Sequence, residues 1–284
     1  MTTPQTPVPG LPVPRAVGGQ LLLAHYRNTQ QSIAQRAAIA IQNLWMRMID
    51  PTHFADTWKN YNPVVNGIID THHKMTAANA AEYYANSRVF AGYAHFPVPG
   101  VTLDPAYLDK ETNTMGAGMF FHYLKDNPDP IVASNMARDG LRGTGVRLIM
   151  SGGRDTVTKA AQNDPRAQGW ERVIEPGACG FCAMLAGRGA VYKESTVDFR
   201  AHDHCHCVAR AVFDGQESVN KGIQDQWATA TKGTRGKAAI AAWNKHWEAQ
   251  GGSVRSENAG ESPGQRPGHA AIHQESVRQP ALSH

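Results

Sequence analysis

From Gly18 onward, apolar side chains recur three and four positions apart, at Leu22, Tyr26, Ile33, Ile39, Ile41, Leu44, Trp45 and Met48, with Ala- and Gln-rich filler between them. That spacing returns a side chain to one face of an α-helix. Asp50-Pro51 ends the stretch, because proline cannot supply the N–H that a continuing helix needs. After a short segment from Phe54 to Tyr61, a second stripe made by Val65, Ile68, Ile69, His72, Met75 and Tyr83, and interrupted by Asn79, predicts a long helix from Val64 to about His95. Two long helices with a short linker predict an antiparallel pair. Phe96 to Leu103, with two prolines and a glycine, reads as a loop. Asp104-Pro105 then supplies a cap and first turn for a helix over 106–126, and Asn127-Pro128-Asp129-Pro130 breaks the chain again. A further helix is predicted over 131–150, weakened by Gly140, Gly143 and Gly145, and a short one over 155–162 before Asp164-Pro165.

After Gly169 the period changes to two. Trp170, Arg172 and Ile174 alternate as in a strand, Ala190-Val191-Tyr192 reads as a second short strand, and Cys207 to Phe213 as a third. Helical spacing returns from Glu217 to about Gln250, with Ile223, Trp227, Ile240, Trp243 and Trp247, and is interrupted near Gly233 to Gly236. The fold class this predicts is α+β, mainly α. Its parts are a disordered proline-rich arm over 1–16, a helical body over 17–165, a small β module over 166–215, a C-terminal helix over 216–250 and a disordered polar tail over 251–284.

Composition narrows the function classes. The chain has 284 residues, 41% of them hydrophobic, which is enough for a core that needs no disulfides. A mean hydropathy of -0.43 and 17 prolines place part of that length outside the core, and the two ends are where such residues gather. No apolar run approaches the ~18 residues of a membrane span, and Met1 to Arg15 lacks the apolar centre of a secretory signal. A net charge of +4, with basic residues scattered, does not describe a strong nucleic-acid binder.

The chemistry concentrates in one place. Every cysteine falls between Cys179 and Cys207, as Cys179-Gly180-Phe181-Cys182 and then His202-Asp203-His204-Cys205-His206-Cys207. Cys-x-x-Cys lets one turn aim two thiolates at a common point, and a second pair flanked by imidazoles can complete a tetrahedron. In an extended segment Cys205 and Cys207 share a side while His206 faces away, and His202 joins them only if the chain bends before Cys205. A four-cysteine set and a three-cysteine, one-histidine set drawn from Cys179, Cys182, His202, Cys205 and Cys207 both suit zinc. A structural zinc ion ranks ahead of four free thiols and of disulfides, and a small β-ribbon gains from it stability that packing alone does not supply.

The segments Gly169-Trp170-Glu171-Arg172-Val173-Ile174, Cys179 to Ala186, Arg188-Gly189-Ala190-Val191-Tyr192 and His202 to Cys207 together resemble the MuF-like head-morphogenesis proteins of tailed bacteriophages, particularly the branch in phages of actinobacteria. The resemblance covers about a quarter of the chain. It implies a minor capsid protein of the virion, assembled in the host bacterial cytoplasm and working beside portal, scaffold or major capsid subunits. It also brings a competitor, since relatives in this branch carry the label of capsid maturation protease.

The residues themselves favour structure over catalysis. Ser87, Ser134, Ser151 and Ser195 lie in no nucleophile elbow. Cys182 near His202 or His204 would make an activated thiolate, yet the same proximity is what ligation requires. His72-His73 face different sides of their helix, one of them toward solvent. Among the tryptophans, which read mainly as core, Trp243 and Trp247 form the pair most readily assigned to a partner. Arg138, Arg142, Arg147 and Arg154 read as a solvated helix face, for which a weak contact with packaged DNA is the most that follows.

Overall fold

The computed structural model describes residues 15–126, 128–175, 177–187, 189, 199 and 201–252, the side chains of the first three excepted. Of the arm expected over 1–16, residues 1–14 lie outside these residues and the last two open a helix instead; the strand at Ala190-Val191-Tyr192, Ser195 and the tail from residue 253 also lie outside them. Three long helices build the body: α1 (Arg15–Met48), α2 (Phe54–Phe90) and α5 (Pro130–Asn163), each packed on the other two. Between α2 and α5 run α3 (Pro105–Asn113), a π turn (Thr114–Gly118) and α4 (Met119–Asp126). Strands β1 (Ala167–Val173) and β2 (Val208–Phe213) pair antiparallel, from Val173 opposite Val208 to Ala167 opposite Phe213, and lie on α5. The short α6 (Gly180–Ala186) falls between the strands, and α7 (Lys221–Ala230) and α8 (Gly236–Ala249) close the described chain. No described helix is long and apolar enough to cross a membrane.

One local signal sets three of the starts. Asp50, Asp104 and Asp129 each accept a hydrogen bond from the backbone N–H two residues on, at 2.8, 3.0 and 2.8 Å, and each is followed by proline in the first turn. The aspartate satisfies an otherwise orphaned donor, and the proline has no N–H to orphan.

The structure redraws three predicted boundaries. The segment over 54–61 and the helix expected from Val64 are one helix, α2, with Pro63 inside it. A proline there costs about 3 kcal/mol, which the burial of Trp58, Tyr61 and Val65 and a hydrogen bond from Tyr61 Oη to the Ile41 carbonyl (3.2 Å) offset. α2 stops at Phe90 rather than His95, where Gly92 takes a positive φ. The helices expected over 131–150 and 155–162 are continuous as α5. Its glycines are contact points: a Cβ on Gly152 would strike the His73 carbonyl and Thr76, and one on Gly153 would strike Gln30. α1 and α2 therefore press against the α5 backbone.

A single apolar cluster runs from Trp45, Phe54, Trp58 and Tyr61 through Leu141 and Ile149 of α5 to Trp170, Val208 and Phe213 of the sheet, and includes all four cysteines. A second, small cluster joins Ala183 and Met184 of α6 to Trp243 of α8.

Candidate metal centre

Two short stretches of backbone bring the cysteines together. Cys179 is the N-cap of α6, in extended conformation, and Cys182 lies one turn on, so both thiols leave the same end of the helix. Cys205 and Cys207 lie on the extended run into β2, both buried, with His206 between them exposed. The bend needed to bring in His202 is present: His204 takes a φ of 61°, and the Cys205 N–H donates to the His202 carbonyl at 3.2 Å. The cysteine pairs thus sit at the start of a helix and the entrance of a strand, where only strand ends were expected for both.

The donor atoms form two overlapping triads, Cys179, Cys182 and His202, and Cys182, Cys205 and Cys207, each with all its ligand atoms within 4.8 Å of one another. His202 Nε2 is 3.0 Å from Cys179 Sγ and 3.7 Å from Cys182 Sγ, and Cys182 Sγ is 3.8 Å from Cys205 Sγ. His202 Nδ1 lies 2.7 Å from the Asp203 carbonyl, which can only accept, so Nδ1 carries the hydrogen and Nε2 offers its lone pair to the cluster. Tetrahedral zinc with Zn–S near 2.3 Å requires sulfur–sulfur edges of about 3.8 Å. The soft donor set suits a four-coordinate ion, and the Cys182–Cys205 separation matches that edge.

The thiols also share protons unequally. Hydrogen bonds from Cys182 and His202 hold the Cys179 thiol down to about 4. Those from Cys182 and Cys207 lower Cys205 as well, with help from the positive charges of Arg154 and Arg172. Cys182, which gives its hydrogen to its neighbours, is pushed up. The bond to Cys179 raises His202. A cluster that already carries thiolate character is prepared for a cation.

The second sphere comes mostly from α5. Asp203 accepts from Arg147 Nε (2.8 Å) and Thr144 Oγ1 (3.2 Å), and the His204 ring lies over Gly143 so closely that any side chain there would collide with it. Arg154 donates through Nε to the Cys207 carbonyl (2.9 Å) and through Nη2 to the Cys205 carbonyl (2.5 Å). Arg172 reaches Cys182 Sγ at 3.7 Å, and its guanidinium lies 3.8 Å from the centroid of Phe199, whose ring stacks on Trp170. On the opposite side, Trp243 Nε1 donates to the Gly180 carbonyl (2.9 Å) and Trp247 Nε1 to the Ala178 carbonyl (3.0 Å).

Several expectations change. Arg154 is 1% exposed and Arg147 is tied to Asp203 and Glu111, so the arginines of α5 are not one solvated face. Trp243 is wholly buried against α6, an internal contact rather than a partner surface. Of the two adjacent histidines, His73 is buried with Nδ1 at 2.9 Å from the Leu148 carbonyl. The hydroxyls of Ser87 and Ser151 bond nearby carbonyls, and Ser134 accepts from Trp45 Nε1. His204 turns toward α5, which leaves His202 as the imidazole beside the thiols. Sequence spacing singled out the five residues that the fold brings together, but not the approach of Arg154, Arg172 and Phe199, which depends on how α5 and the sheet meet. Asp203, between the two histidines, was the one visible hint of an anchored loop.

Helices packed as a body, with a Cys/His knuckle of soft donors at the entrance to a two-stranded sheet, define an α+β protein with a candidate structural metal site. Residues 20–230 match the VG15 protein family. The chain belongs to that family, which is one of phage virion-associated proteins. No curated protein and no solved structure matches it.

Proposed function

We propose that this chain is a minor capsid protein of the MuF-like type that takes part in tailed-phage head assembly near the portal, with a structural zinc ion in the Cys179–Cys207 knuckle. The observation that carries this reading is the family match, which spans the helical body and the knuckle without interruption. The burial of Cys182, Cys205 and Cys207 supports a closed site, since a catalytic zinc keeps one position open to substrate. Portal, scaffold or major capsid subunits are the partners proposed, met through the helical body. There Pro51, Phe54, Phe121 and Leu124 line an open groove, and Ile131 is exposed nearby.

Mass spectrometry of purified particles tests the assignment. The chain should be found in mature virions at few copies per particle, far below the number of major capsid subunits, and its deletion should yield defective heads. Absence of the chain from virions would overturn the proposal. Elemental analysis of the purified protein should give one zinc per chain.

The competing reading, a capsid maturation protease, draws on the 3.0 Å approach of Cys179 and His202. It requires that co-expression with the cognate capsid and scaffold proteins give shortened products, and that His202→Ala abolish them. Ligation explains the same approach with no further group, so the structural reading stands first.

A further inference from the structure

We propose that the knuckle is a clasp for the α7–α8 hairpin: ion binding at the cysteine cluster and docking of the hairpin are coupled. Loss of the ion would then free residues 221–252 while α1, α2 and α5 keep their packing. The inference rests on the metal reading above and adds to it what the ion controls.

Three observations carry it. First, among the described residues the packing partners of α7 and α8 are α6 and each other, whereas α1, α2, α5 and both strands share the large core. Second, α6 divides between the two clusters. Cys179 and Cys182 belong to the large one, while Ala183 and Met184 on its other side belong to the small one with Trp243, against which Trp227 and Trp247 also pack. Third, the two indole hydrogen bonds from α8 end on the carbonyls of Ala178 and Gly180, the residues on either side of Cys179. The hairpin thus reads the backbone conformation of a ligand directly.

Energetics make the coupling strong. α6 has seven residues, α7 ten and α8 fourteen, and isolated helices below about 12–15 residues are marginal in water. Beyond its packing on β1 and the burial of Cys182 in the large core, a seven-residue helix has little hold on its own position. The ion would fix it at Cys179 and Cys182, and only a fixed α6 offers the hairpin a surface. Upstream, the hairpin begins at an anchor independent of the ion: Asn220 Nδ2 donates to the Arg172 carbonyl (2.7 Å) and Ser218 Oγ to buried Glu171 (2.5 Å). Release therefore takes the form of a swing about Asn220.

The test uses the full chain, with Zn²⁺ as the probe. Hydrogen exchange of the zinc-loaded protein should show protection over 221–252, and chelation should raise exchange there and over α6 while α1, α2 and α5 remain protected. Coupling is reciprocal, so the double variant Trp243→Phe, Trp247→Phe, which keeps an aromatic ring at each position but removes both indole donors, should weaken Zn²⁺ binding about 5–150-fold in competition with a chromogenic chelator. A wild type that takes up no Zn²⁺ overturns the metal reading and the clasp together. Zinc binding with exchange over 221–252 unchanged by chelation, or chelation that exposes the whole chain at once, overturns the clasp alone. So does a double variant with wild-type affinity.

Discussion

Arg154 carries a full positive charge inside the protein, with no carboxylate within 4.0 Å among the described residues and its Nη1 lacking a hydrogen-bond partner. Its fork holds the carbonyls of Cys205 and Cys207, its guanidinium lies 5.1 Å from the centroid of Phe199, and its charge helps to lower the Cys205 thiol. Arg154→Met should cost about 3 kcal/mol in urea unfolding of the zinc-loaded protein, since two buried carbonyls lose their donors. Arg154→Lys, which keeps charge but not the fork, should recover only part of that. Asp164 is the complementary case. Burial alone would raise its pKa, but hydrogen bonds from Arg88, the Arg166 N–H and Tyr84 outweigh it and hold the carboxyl below its usual value. A depressed folded-state pKa contributes stability that is present above the unfolded value, near ~4, and lost as pH falls through the folded one. Asp164→Asn should therefore flatten the stability profile below about pH 4 and cost about 3–5 kcal/mol at neutral pH by leaving Arg88 unpaired, as read by denaturant titration across pH. Neither arginine nor aspartate was legible in the sequence. Asp164-Pro165 looked like a helix stop, and nothing local distinguishes a buried ion pair from a cap.

The elements were legible where the chain signals itself locally. Asp104-Pro105 was legible as a start because cap and proline act within one turn, and the same pairing at Asp50-Pro51 and Asp129-Pro130, read as a stop and a break, caps the element that follows. The interior of α5 was not, because Gly140 to Gly153 lowers helix propensity while the reason for the glycines lies elsewhere in the chain, on α1 and α2 for Gly145, Gly152 and Gly153 and on the His204 ring for Gly143. Two substitutions separate these effects. Gly152→Ala should destabilise by about 1–3 kcal/mol despite the better helix propensity of alanine, because the new methyl meets His73 backbone. Gly67→Ala on α2, where nothing lies within 4 Å of the added carbon, should stabilise by about 0.5–1 kcal/mol. Thermal melts of the two variants check both signs. Pro63 belongs with the glycines: its position within α2 is bearable only because the neighbours Trp58 and Tyr61 are buried in the aromatic cluster with Trp45.

At the scale of the molecule, the alternation of apolar residues predicted a helical body and a small sheet, and both are present. The gathering of the cysteines and His202 was legible because two cysteine pairs with flanking histidines are a spacing signal that survives without three dimensions. The joining of body and sheet into one core was not, since it depends on contacts between residues far apart in the chain, such as Arg154 with Cys207. If the ion contributes even about 2 kcal/mol, chelation should lower the melting temperature by at least about 5 °C, with full recovery on adding zinc back, measured by calorimetry. The separation of 23 residues between Cys182 and Cys205 has a further consequence for how the protein is made. A ribosome completes all of α1 to α5 before it adds the first ligand, and it adds the last only on reaching β2. Early segments fold first during synthesis, so the body waits, already formed, with Thr144, Arg147 and Arg154 in place to receive a loop not yet translated. If the knuckle holds zinc as proposed, ion capture is a late event in the birth of the chain, and a cell short of zinc would accumulate chains whose bodies are sound and whose last thirty or so described residues have nothing to rest on.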